Sequence, residues 1–104
     1  MNKFNEREQS FEKKFANDQE LQFKISAKRN KYIAEWASSK LGKNSDQTQN
    51  YILEIIKADM KEAGDDDVFR KIKKDLQNSD INIDDSEIRS QMSLALERAK
   101  KDFI

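Results

Sequence analysis

No proline interrupts this chain, and glycine occurs only at Gly42 and Gly64. A backbone with so few breakers, rich in Lys, Glu, Gln, Ala and Leu, runs as helix wherever its apolar residues find a core. That leaves little room for an all-β or Rossmann-type fold. The 104 residues make one domain. Charged side chains are 38% of the chain, against about 25% in an average domain. Its core is therefore thin.

The residue types that are missing exclude chemistry as well. Without cysteine there is no disulfide, thiolate metal site or thiol nucleophile, and without histidine the commonest general base is gone. The chain is not expected to be an enzyme. It lacks any apolar run long enough to span a bilayer and any hydrophobic leader at its amino terminus, so it is expected to be soluble and to stay where it is made.

Twenty basic and twenty acidic side chains cancel, which makes the chain a poor polyanion binder. Residues 20–43 nevertheless carry six basic against two acidic groups, and residues 65–87 carry four against eight. The simple expectation is a basic helix packed near an acidic segment. Lys24, Lys28, Arg29 and Lys31 would form the only nucleic-acid face, and no nucleic-acid-binding motif accompanies them.

Four helices are expected, at about 18–41, 46–63, 66–77 and 85–103, preceded by a separate segment 1–17. Asn17 with Glu20 has the spacing of a capping box for the first. Leu21, Ile25, Tyr32 and Trp36 lie on one side of it and Phe23, Ala27, Ala34 and Leu41 on the other, so it should be central. Ser45 or Asp46 caps the second, whose stripe is Ile52, Ile55, Ile56, Met60 and Ala63, with Gly64 as its left-handed end. The third offers Val68, Phe69, Ile72 and Leu76. Asp84 with Glu87 forms a capping box for the fourth, Ile83 and Ile88 its hydrophobic staple, and Ile88, Met92, Ala95, Leu96, Ala99 and Phe103 its stripe. Short links between four helices give a small bundle.

The acidic run Asp65-Asp66-Asp67 is read as helix capping, not as a metal site. Asp80, Asn82 and Asp84 copy the first three ligands of a calcium loop, but Asp85 stands where glycine is needed and Gln91 where the glutamate belongs. The amino-terminal segment is different. Phe4, Phe11 and Phe15 fall on one narrow helical stripe of an otherwise charged peptide. Too short to be a stable helix alone, it has the form of a segment that orders by laying an apolar edge into a partner's groove.

The stretches FNEREQSFEKKFAND, KRNKYIAEWASSKLG, EAGDDDVFRKIKKDL and DDSEIRSQM resemble, in order and spacing, the zeta subunit of alphaproteobacterial F-type ATP synthases. Asn5 stands where many members have an acid, Tyr32-Ile33 replaces a leucine pair, and Met60 takes the place of a usual phenylalanine. The resemblance implies an all-α protein, a four-helix bundle with a mobile amino-terminal segment that is disordered when free. It implies an inhibitor of ATP hydrolysis whose segment enters a catalytic interface between the alpha and beta subunits, near the gamma rotor, and becomes helical there. Carried over residue by residue, Phe4, Glu6, Arg7, Glu8, Phe11, Glu12, Lys14 and Phe15 make that contact.

The resemblance further implies a monomeric cytoplasmic protein, peripheral to the inner membrane when bound, with no direct membrane insertion. No cofactor is needed, and weak nucleotide binding on the bundle is implied without a motif to locate it. On physical grounds the phenylalanines are the buried anchors and Glu6, Arg7, Glu8 and Lys14 set register through rim charges. The rival reading is a helical adaptor docking another partner through the same Phe stripe.

Overall fold

A computed structural model of the chain describes residues 19–61 and 64–103. It is all-α, with four helices: α1 over Gln19–Leu41, α2 over Ser45–Asp59, α3 over Asp66–Asn78 and α4 over Asp85–Lys101. The expected segment 1–17, the Asn17 cap and Ala63 lie outside the described residues.

Short links make neighbours antiparallel, and cross-helix pairs fix the register. Between α2 and α3, Tyr51 meets Asp75 while Glu54 meets Lys71. Between α3 and α4, Lys73 meets Asp85 while Asp66 meets Arg89. Helix α1 packs against all three others, whereas among the described residues the backbones of α2 and α4 do not come close. The first helix is thus central, as its apolar residues require.

Its buried line differs from the two opposed stripes expected. Ile25, Ile33, Ala34 and Ala37 are buried, Tyr32, Trp36 and Leu41 flank the core, and Phe23 faces solvent. Neighbours on two adjacent sides merge the stripes into one broad face. Ile33, Ile55, Ile72 and Ile88 meet at its centre, each almost fully withdrawn from water, a burial worth about 1.5–3 kcal/mol apiece. In α4, Ile88, Met92, Ala95 and Ala99 are buried as expected, with Ile83 packed on the same core.

The helix ends show where local chemistry overrode the expected boundaries. Asn44, not Ser45 or Asp46, caps α2: its side chain accepts from the Gln47 N–H while Gln47 accepts from the Asn44 N–H. Both α1 and α3 end in Schellman motifs. Lys43 N–H donates to the Ser38 carbonyl and Gly42 N–H to Ser39; Ile81 N–H donates to Leu76 and Asp80 N–H to Gln77. Helix α2 stops at Asp59, short of the expected Ala63, and Met60 is exposed rather than part of a core stripe. Gly64 does have positive φ, +92°, but stands beyond that end and is not its cap. Asp84 begins α4 without a side-chain capping bond, and Glu87 instead accepts from Gln91.

Candidate partner-binding surface

The expected contact residues Phe4, Glu6, Arg7, Glu8, Phe11, Glu12, Lys14 and Phe15 lie outside the described residues. What the fold positions is the root from which that segment departs, the first turns of α1. Glu20 and Lys24 pair there at 3.4 Å on the helix surface, a contact of small energetic weight. Phe23, one turn in, is 66% exposed.

Up to two helical turns past Phe23 and Lys24, α1 carries a polar cluster that sequence reasoning missed. Arg29 and Asn30 are both buried. The Arg29 Nε donates to Asn30 Oδ1 at 2.8 Å, its guanidinium reaches Asp59 Oδ1 at 3.0 Å, and the Asn30 amide donates to Asp59 Oδ2 at 3.0 Å. Every charged group in the cluster therefore has a partner, as burial demands. By sequence Arg29 belongs to the basic surface of the first helix, yet it points inward and is not available to a polyanion. The clue lay in Asn30, which falls in line with the buried Ala34 and Ala37.

The basic helix α1 does pack against α3 of the acidic segment, as expected, while the acidic side chains take partners on α3 and α4 themselves. Arg89 of α4 holds both Asp65 and Asp66, at 3.3 and 2.8 Å, with its guanidinium 4.0 Å above the Phe69 ring. Asp67 pairs with Arg70, Asp75 with Lys71 and Asp85 with Lys73. The place of the acidic run suggests helix capping, yet Asp65 occupies the cap position of α3 without making a side-chain cap bond. Its work is to tie α3 to α4. The Arg89 guanidinium beside Asp66 holds that carboxyl below its ordinary range.

Tyr32 has the cations of Lys28 and Arg98 over its ring and donates its hydroxyl to Asp102; that hydrogen bond, foremost, raises its pKa. Tyr51 is buried and donates to Asp75 at 2.8 Å, and burial above all pushes its pKa up. Lys71 is opposed by burial, but its bonds to Asp75 and Glu54 outweigh that and hold it above its ordinary value. A polar cleft of about 190 Å³ opens here, lined by Leu41, Lys43, Tyr51, Glu54, Asp75, Asn78 and Ser79. Its carboxylates are already committed to Tyr51 and Lys71. Asp80 and Asp84, placed in the calcium-loop pattern, serve as the end of one helix and the start of the next. Among the described residues no helix is long and apolar enough to cross a membrane.

A protein solved in solution by NMR is similar to this chain, with 36% identity and a TM-score of 0.71 over 80% of this chain and 94% of its own. A search of curated proteins returns no match. The family model of ATPase inhibitor subunit zeta matches residues 1–102, covering the amino-terminal segment and the bundle together. The chain therefore belongs to the ATPase inhibitor subunit zeta family.

Proposed function

We propose that this chain restrains ATP hydrolysis by the F-type ATP synthase through residues 1–17, which enter a catalytic alpha/beta interface close to the gamma subunit and become helical there. The observation that carries the reading is the extent of the family match, from residue 1 to residue 102. The matched span takes in the segment that carries Phe4, Phe11 and Phe15, which supports reading that segment as the working part. The bundle supports it, since four helices tied by the Arg29–Asp59 and Arg89–Asp66 pairs make a firm handle.

In this reading the three phenylalanines are the anchors and Glu6, Arg7, Glu8, Glu12 and Lys14 set the register. One-way action requires differential binding: the segment must favour the interface in the form it takes as hydrolysis closes it. Such a wedge acts by position and requires no cofactor.

The test is ATP hydrolysis by the cognate catalytic head, with the full chain and with a chain lacking residues 1–17. Inhibition by the first and none by the second is the expected result. Equal inhibition by both would move the contact onto the bundle. Inhibition by neither would turn the reading towards a helical adaptor for a different partner.

A further inference from the structure

Phe23, Ala27, Asn30, Ala34, Ala37 and Leu41 recur along α1 at alternating spacings of four and three, one continuous seam. Helix α2 covers the seam from Leu41 back to Asn30, where Asp59 receives the Asn30 amide and the helix stops. Burial then falls away along the line. Ala34 and Ala37 are fully buried, Ala27 is half-buried, and Phe23 is 66% exposed. At the end of that cover, Met60 follows Asp59 directly and is 73% exposed. The seam thus runs on past its cover to the exposed Phe23, and the cover itself ends in the exposed Met60.

Exposed lysines flank the opening: Lys31 on α1, Lys57 and Lys61 around Met60, and Lys24, which shares its charge with Glu20. We infer that this open end of the α1–α2 seam, Phe23 with Ala27 and Met60, is a second docking face for the partner that receives residues 1–17, meeting an apolar spot ringed by carboxylates beside the receiving groove. The inference rests on the proposed function and deepens it. Chain geometry supports it. Phe15 and Phe23 are eight residues apart, about 12 Å along a helix and less than about 29 Å fully extended. A surface that holds Phe15 therefore lies within reach of the first turns of α1. Charge argues against a second copy of the chain, which would bring the same lysines face to face.

The experiment titrates the isolated catalytic head with the full chain and reads binding. It compares wild type, Phe23→Ala/Met60→Ala, Phe4→Ala/Phe11→Ala/Phe15→Ala, and Leu94→Ala. Leu94 is an exposed apolar control on α4, whose backbone among the described residues does not come close to α2. The double variant should bind about tenfold more weakly or worse, with unchanged melting, while Leu94→Ala binds as wild type. Wild-type affinity in the double variant, beside weakened binding by the triple variant, overturns the second face and leaves the insertion reading intact. No binding by any form, wild type included, overturns both. Sedimentation of the free chain adds the last arm: a dimer dissolved by Phe23→Ala/Met60→Ala would assign the face to a second copy and overturn the inference.

Discussion

Arg29 and Asp59 meet at 3.0 Å across the α1–α2 seam, with side chains only 9% and 20% exposed. Removing one partner of such a pair is costly because the other charge is left behind in poor solvent. Asp59→Ala also strips the Asn30 amide of its acceptor. The variant should lose about 3 kcal/mol of stability, read as a lower urea midpoint with an unchanged slope. Replacing the pair together, as Arg29→Met/Asp59→Leu, should restore most of that loss. If the double replacement is as unstable as the single one, the cluster contributes more than the removal of a stranded charge.

Asp80 holds φ at +57° in the position of the α3 Schellman motif that glycine ordinarily takes, and which Gly42 fills with φ +72° at the end of α1. A side chain with a Cβ is strained there, less so for Asp and Asn than for others. Asp80→Gly should therefore stabilise the bundle by up to about 1 kcal/mol, with Asp80→Asn in between. The opposite is expected at Gly42. No atom stands within 4 Å of a Cβ built on Gly42, so Gly42→Ala tests backbone strain alone and should cost about 1 kcal/mol. Thermal melts of the four chains check the ordering.

These two ends show which parts of the fold could be read from residues and which could not. The glycines, the polar clusters and the period of Ile88 to Ala99 were enough to divide the chain into four helices. The end of α2 was not legible, because Met60 and Ala63 continue its apolar period in the sequence, while the helix stops at Asp59, which is bound to Asn30 of α1. Asn44 with Gln47 carries a readable capping spacing that Ser45 and Asp46, both good caps, obscured. Arg89 could not be linked to Asp65 and Asp66 at all: an ion pair between residues more than twenty positions apart has no local signature. The Phe stripe lies at the other extreme. Its spacing is plain in the sequence, while its contacts, in the proposed function, belong to a partner.

Arg89 lowers the Asp66 pKa through its hydrogen bond and its charge, which ties this pair to the acid stability of the bundle. A folded-state pKa below the unfolded value means that the unfolded chain takes up the proton first. The contribution is therefore complete above the ordinary Asp value of 3.8 and disappears as pH falls through the depressed value. Asp66→Asn should flatten the acid limb of a melting-temperature profile without changing the Arg89 stacking on Phe69. Both side chains are largely exposed, so the difference should be small and should shrink further in high salt. An acid limb identical to wild type at low salt would remove this pair from the account.

The sharpest functional prediction concerns Phe4, Phe11 and Phe15. If residues 1–17 order on binding, the apolar edge must offset the cost of fixing them, about 2–5 kcal/mol. Truncating a buried aromatic anchor at an interface commonly costs about 2 kcal/mol or more, a loss of about thirtyfold in affinity. Each of Phe4→Ala, Phe11→Ala and Phe15→Ala should therefore weaken inhibition of ATP hydrolysis by at least about tenfold. None should lower the melting temperature of the bundle, whose core is built from residues of α1 to α4. Glu12→Gln and Lys14→Gln should act mainly on the association rate and its salt dependence, since rim charges steer more than they hold. Full inhibition by all three alanine variants would mean that the Phe edge is not the anchor. Lower melting in any of them would mean instead that the segment belongs to the bundle's own core.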